Sequence, residues 1–235
     1  MKVIVVIPAR MASTRLPGKP LADIGGLPMI VRVWQRACLA RSPLRVIVAT
    51  DDARIAAAVR AAGGEASITR ADHPSGSDRV WEVAAPVDCD VVVNLQGDEP
   101  FVDPTLIDRL ARAAMEHGSS VATAGAPLVD VAAPPSVVRV AVDHTGRALA
   151  FSRDTPAQGR VLHHVGVYAY RKQALQAFVD LEPSRGERNA RLEQLRLLDR
   201  GFVFRVVEIP GEPLSVDTPE DLSDARARWA MQATP

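Results

Sequence analysis

The chain has 235 residues, 47% of them apolar, which is enough for one sizeable α/β domain with a packed core. Its 28 basic and 28 acidic residues balance to a formal charge of zero, which argues against a general nucleic-acid binder. Cys38 and Cys89 lack metal-type spacing and point to a reduced, cytoplasmic setting, no stretch is apolar enough to span a membrane, and no signal peptide is visible.

Residues 3–7 form an apolar run that reads as a buried strand. The chain then turns, and Arg10, Arg15 and Lys19 follow among small and hydroxylated residues. A loop of this kind at the carboxyl end of a first parallel strand can aim backbone N–H groups and fixed positive charge at a polyphosphate. The glycine spacing of a P-loop or a dinucleotide fingerprint is missing. Residues 28–39 read as a helix with Met29, Ile30, Val33 and Trp34 on its apolar face, and residues 45–49 as a second strand. Asp52 is placed to cap a helix that runs through Val59 and stops at Gly63-Gly64. A short strand at 66–68, a helix at 77–85 and a strand at 90–95 come next, the last ending at Gln96-Gly97-Asp98-Glu99-Pro100. Pro104 opens a helix to about His117. Strands alternating with helices predict a parallel sheet with right-handed crossovers.

The second half is less regular. Strands are expected at 121–124, 137–142, 148–151 and 165–170, the end of a helix at 192–198, and an alternating edge strand at 202–208. Asp217 or Thr218 caps a last helix, with Pro219 at its first position and acids in its first turn. Residues 230–235 are expected to fray. No repeat, low-complexity tract or linker divides the chain, so it reads as one domain, 1–235.

Four loops after predicted strands carry unusual polar residues: the Arg10/Arg15/Lys19 loop, residues 69–79, residues 96–100, and the loop holding Asp217. In a parallel sheet the carboxyl ends of the strands share one edge, so these loops converge. Asp98 and Asp217 beside a basic loop are the parts of a Mg²⁺–polyphosphate site, because Mg²⁺ favours a couple of carboxylates plus phosphate oxygens. Lys19 and Arg10 would stabilise charge on a leaving polyphosphate. No serine, cysteine or histidine nucleophile is required, so His73, His163 and His164 read as binding groups.

Ile7-Pro8-Ala9-Arg10, Arg15-Leu16-Pro17-Gly18-Lys19-Pro20-Leu21, Ser75-Gly76-Ser77-Asp78-Arg79, Asn94-Leu95-Gln96-Gly97-Asp98-Glu99-Pro100, Phe151-Ser152-Arg153, His164-Val165-Gly166-Val167-Tyr168, Leu192-Glu193-Gln194-Leu195-Arg196 and Val216-Asp217-Thr218-Pro219-Glu220-Asp221 resemble the CMP-KDO synthetases, the 3-deoxy-manno-octulosonate cytidylyltransferases, in order and over nearly the whole chain. The resemblance implies a Rossmann-like nucleotidyltransferase fold with a mixed, mostly parallel sheet flanked by helices. It also implies CTP as donor, Mg²⁺ as cofactor and a homodimer. The nucleotide half covers about 1–120 and the acceptor and dimerisation half about 121–235. Arg10, Arg15 and Lys19 then handle the triphosphate. Pro8, Ala9, Arg70, Ser75 and Gln96 line the nucleotide pocket, Gln96 also facing the acceptor. Asp98 and Asp217 match the metal carboxylates. Arg153, His164, Tyr168, Glu193 and Gln194 match the side that holds the sugar acid.

Departures from the family pattern cluster in the acceptor half. The stretch 154–162 is short, His163 stands where a cation is usual, and of the two acids before Leu192 the first survives as Glu187 while the second is Ala190. The expected acceptor is 3-deoxy-manno-octulosonate (KDO) or a close sugar acid. The alternative is a small phosphonate or carboxylate such as phosphonoformate, since a site with fewer hydroxyl partners suits a ligand with fewer hydroxyls. A non-catalytic nucleotide-binding regulator is the remote alternative. A glycosyltransferase would usually bring an Asp-x-Asp metal site, which Gln96-Gly97-Asp98-Glu99 does not supply.

Overall fold

The computed structural model describes residues 1–13, 15–128, 137–156, 158–211 and 214–233. Thr14 of the basic loop, Ala157 of the short acceptor stretch and residues 234–235 of the expected frayed end lie outside the described residues.

The chain opens with β1 (Val3–Ala9), a 3₁₀ turn at Lys19–Leu21, the small hairpin β2 (Asp23–Ile24) and β3 (Leu27–Pro28), and α1 (Met29–Cys38). Three further strand–helix units follow: β4 (Pro43–Thr50) with α2 (Ala53–Ala61), β5 (Glu65–Ile68) with α3 (Gly76–Ala84), and β6 (Val91–Asn94) with α4 (Pro104–Met115). The second half supplies β7 (Val121–Pro127), β8 (Arg139–Val142), β9 (Ala148–Ser152), β10 (Arg160–Arg171), α5 (Lys172–Asp180), α6 (Arg185–Ala190), α7 (Leu195–Leu198), β11 (Phe204–Glu208) and α8 (Pro219–Ala233).

The main sheet runs β11-β7-β10-β6-β1-β4-β5, with the β8–β9 hairpin laid along the start of β10. β5, β4, β1 and β6 are mutually parallel, β10 is antiparallel to both its neighbours β6 and β7, and β11 is parallel to β7. This is the mixed, mostly parallel sheet that the family resemblance implies; strand–helix alternation alone predicts a parallel sheet, and β10 departs from that.

Alternation along β1 sorts the core into two layers. Val3, Val5 and Ile7 face one side, with Met29, Ile30 and Val33 of α1, Ile55 and Val59 of α2, Leu106, Ile107 and Leu110 of α4, and Leu222 and Ala225 of α8. Ile4 and Val6 face the other, with Val80 and Val83 of α3, Leu175 and Phe178 of α5, and Leu195 and Leu197 of α7. A strand buried on both faces reads as continuous hydrophobicity, which is why β1 and β6 stand out in the sequence. Asp52 accepts from the Arg54 N–H at 2.8 Å and caps α2 as expected.

The second half departs from expectation in four places. β10 starts five residues earlier than the predicted 165–170 strand, because its first part overhangs β6 and pairs with β7 and β8 instead. α5 was not legible as a helix, although Ala174, Leu175 and Phe178 form its buried stripe. The helix expected to end at 192–198 is two short helices, broken where Arg191 adopts a left-handed backbone (φ 54°). α8 continues through residues 230–233, which were expected to fray.

α6 and α7 are held by one buried pair. Glu187 accepts from Arg196 at 2.7 and 2.9 Å, and Arg196 also donates to the Phe178 carbonyl at 3.1 Å and lies over its ring. The same Glu187 closes a capping box with Ser184. Glu187→Ala should therefore cost roughly 3–5 kcal/mol, since it leaves a buried guanidinium unpaired. Chemical denaturation checks this; a variant as stable as the parent would show that the pair is dispensable.

Candidate active site

β1, β4, β5 and β6 are parallel, so their carboxyl ends and following loops open on one sheet edge. The β1 loop folds over this edge. Pro20 lies in the 3₁₀ turn, which directs Lys19 inward, and the Lys19 side chain is only 14% exposed. Gly97 follows β6 where the backbone passes close to β1; a Cβ there would stand 3.0 Å from the Pro8 carbonyl oxygen.

Asp98 and Asp217 meet at Lys19. The Lys19 ammonium donates to Asp98 Oδ2 at 2.6 Å and to Asp217 Oδ1 at 3.0 Å, and Arg15 pairs with Asp217 Oδ2 at 3.1 Å. The Asp217 loop is pinned there by its backbone, because the Val216 N–H donates to the Asp98 carbonyl at 2.9 Å. Of the two caps the sequence allows for α8, the structure uses Thr218. Its hydroxyl accepts from the Asp221 N–H at 3.2 Å, while Asp221 accepts from the Asp217 and Thr218 N–H groups. The Asp217 carboxylate is thus left for the site.

Burial works to lower the Lys19 pKa, but Asp98 and Asp217 outweigh it and hold the ammonium charged, above its ordinary value. Two carboxylate oxygens from separate loops already converge on one cationic nitrogen. That donor set, completed by phosphate and water oxygens, suits a hard divalent cation. Among the described residues no cluster of three or more His, Cys, Asp or Glu side chains forms a fuller metal cage.

Pro8, Ala9, Arg10, Arg15, Lys19, Gln96, Asp98 and Asp217 line one cavity of about 370 Å³, together with Ser13 and Gly97. A smaller chamber of about 130 Å³ shares Pro8, Ala9, Arg10 and Gln96 and adds His73, Ser75, Gly76 and Arg79. The sequence reading did not single out Arg79. It is 4% exposed, bonded to Thr69 Oγ1 and paired with Asp51 at 3.4 Å. Its signal was its place in the Ser75–Arg79 motif. Arg70, expected in the nucleotide pocket, is instead at the surface, where its guanidinium pairs with Asp72 at 3.2 Å and lines neither chamber. Its neighbour His73 turns inward and bonds Glu82.

The expected acceptor residues lie on the α3 side of the sheet. Gln96 Nε2 donates to Asn94 Oδ1 at 3.2 Å, Asn94 Nδ2 to Ser77 Oγ at 3.2 Å, and Ser77 Oγ to Glu193 Oε1 at 3.0 Å. Burial pushes the Glu193 carboxyl up, against hydrogen bonds from Ser77 and Ser75. Tyr168, His164 and Gln194 are buried. His164 Nε2 lies 2.9 Å from Thr123 Oγ1 and its ring meets Phe151 edge-on. Burial, helped by His163, pushes its pKa down to about 3, so the imidazole is neutral. Arg153 Nε donates to the Ala190 carbonyl at 3.4 Å.

A family model described as cytidylyltransferase matches residues 4–208. A 3-deoxy-manno-octulosonate cytidylyltransferase from Azorhizobium caulinodans is 50% identical over 97% of this chain and 96% of its own. One of the same name from Parvibaculum lavamentivorans is 47% identical over 98% of this chain and 93% of its own. A solved CMP:2-keto-3-deoxy-manno-octonic acid synthetase in complex with CTP superposes with a TM-score of 0.93 at 43% identity, covering 99% of this chain and all of that one.

Glu99, next to Asp98, is 6% exposed, and burial, with the Asp98 charge, pushes its carboxyl up to about 8. The unfolded chain releases this proton near its ordinary value of about 4.3. Between that pH and about 8 the folded state therefore binds more protons, and stability falls as pH rises. The melting temperature of the ligand-free protein should decline across this window, and Glu99→Gln, which cannot ionise, should decline less. Parallel pH profiles for the two proteins would refute the assignment.

Proposed function

The chain belongs to the cytidylyltransferase family, and from that premise we propose that it transfers CMP from CTP to KDO with release of pyrophosphate. The observation that carries this reading is the pairing of Asp98 and Asp217 around Lys19 at a cavity also lined by Arg10 and Arg15. Such a site meets the needs of a nucleoside triphosphate whose α-phosphorus is attacked. An acceptor oxygen forms the new bond to that phosphorus as the bond to pyrophosphate breaks, and no covalent enzyme intermediate is needed.

In this reading Arg10, Arg15 and Lys19 hold the triphosphate and offset charge that accumulates on the leaving pyrophosphate. Asp98 and Asp217 would hold Mg²⁺, which when bound would supply polarisation of the α-phosphate and a lowered pKa for the acceptor hydroxyl. Pro8, Ala9 and Ser75 shape the smaller chamber around the base. Arg153, His164, Tyr168, Glu193, Gln194 and Gln96 serve the acceptor, His164 as a neutral hydrogen-bonding ring. Residues 1–120 then form, to a first approximation, the nucleotide half, and residues 121–235 the acceptor and dimerisation half, which returns Asp217 to the first. The reading includes a homodimer and a cytoplasmic site of action; no described helix is long and apolar enough to cross a membrane.

Pyrophosphate release tests the proposal. It should require both CTP and KDO, and turnover of small phosphonates in place of KDO would reassign the acceptor. Asp98→Asn keeps the shape of the side chain and removes its charge, so turnover should fall by about two orders of magnitude or more with the fold intact by circular dichroism. Near-parent turnover would remove Asp98 from the metal site. With ATP in place of CTP, release should be close to background; equal use of the two would show that the small chamber does not select the base.

A further inference from the structure

Asn94 and Ser77 are the oddest residues in the core. Both are 0% exposed. Asn94 ends β6 after three valines, paired between Val6 of β1 and Tyr168 of β10, where an apolar side chain would prolong the core. Ser77 lies in the first turn of α3, but Ser75 already caps that helix by accepting from the Asp78 N–H at 3.2 Å, so the Ser77 hydroxyl is not needed as a cap. Alanine would suit the helix better. Burying an amide and a hydroxyl is costly unless their bonds are made, and here those bonds lead to Gln96 on one side and Glu193 on the other.

The chain of bonds also has a direction. The Asn94 amide nitrogen can only donate, so Ser77 Oγ must accept from it and send its own hydrogen to Glu193. The Asn94 carbonyl in turn takes an N–H from Gln96. One end of the relay therefore turns the Gln96 carbonyl to the cleft as an acceptor. The other, together with Ser75, holds the Glu193 carboxylate, whose remaining lone pairs can still accept. Two acceptors set by one buried relay are complementary to a ligand rich in hydroxyl donors.

We propose that Ser77 and Asn94 are positioning residues that orient Gln96 and Glu193 as paired hydroxyl acceptors for the sugar acid, an inference that rests on the reaction proposed above. Neither touches the acceptor; both act through the side chains that do. The relay explains how the site can keep its preference for a polyol although Ala190 offers no carboxylate.

Steady-state kinetics with CTP and KDO test the relay. Ser77→Ala should raise KM for KDO about tenfold and leave KM for CTP within about twofold, and it should lower the melting temperature, because the Asn94 amide and the Glu193 carboxylate lose a buried partner. In a Glu193→Gln background the same substitution should cost less, since its route to the acceptor is already altered. Ser77→Cys keeps the side chain and donates weakly, so it should fall between parent and alanine variant; it also serves if the alanine variant does not fold. An unchanged KM for KDO, or KM values for both substrates rising together, would overturn the relay while leaving the reaction standing. Absence of KDO turnover in the parent enzyme would instead sink the reaction, and the relay with it.

Discussion

The meeting of Lys19 with Asp98 and Asp217 makes demands on most of the chain. The partners lie 79 and 198 positions from the lysine, and two like-charged carboxylates must be held close enough to share one ammonium. Their repulsion would open the site if they sat on free loops. Asp98 lies in the short loop after the central strand β6, and Asp217 is tied to it through the backbone bond from Val216. α8 is anchored at its far end, where Trp229 packs against Gly25 and under the Arg32 guanidinium at 3.9 Å, and Arg226 donates to the Asp23 carbonyl. Gly25 has φ 61°, and a Cβ there would collide with the indole. The β2–β3 hairpin, two residues per strand, thus serves as a seat for the helix that delivers Asp217.

The legible parts of the fold were those where local pattern and global role agree. β1, β6 and the second half of β4 are apolar and end in polar loops because they are buried on both faces at the sheet edge where the site lies. Asp52, the Pro104 start of α4 and the Thr218-Pro219 start of α8 announced themselves because the chemistry of a helix start is local. The acceptor half was harder for physical reasons. β10 is a single strand serving different neighbours along its length, so its two parts differ in burial and only the inner part looks like a core strand. The break at Arg191 uses a non-glycine residue at positive φ, which carries no compositional mark.

The same division holds at the site. Arg10, Arg15, Lys19, Asp98 and Asp217 could be named from charge and position at strand ends. Arg70 could not be separated from Arg79 that way, because a loop sequence does not say which of two cations turns inward. The partners decide it. Thr69 and Asp51 draw Arg79 under the loop, whereas Asp72 satisfies Arg70 at the surface. Ser77 and Asn94 stood in quoted motifs but received no role there, since their meaning lies in a bond network and not in their residue types.

The retained and lost acids of the acceptor half then have different weight. Glu187 is committed to Arg196 and to the start of α6, so it is part of the scaffold and is not free to grip a ligand. Ala190 sits at the end of the same helix, packed against the core, with its carbonyl taken by Arg153. The substitution therefore removes a side chain without disturbing the elements that carry Glu193 and Gln194. Scaffold and contact are thus separate here: Glu187 and Arg196 hold α6 and α7 together whether or not residue 190 carries an acid. In the proposed reaction, selectivity for the acceptor then rests in part on Asn94 and Ser77, which set how Gln96 and Glu193 face the site.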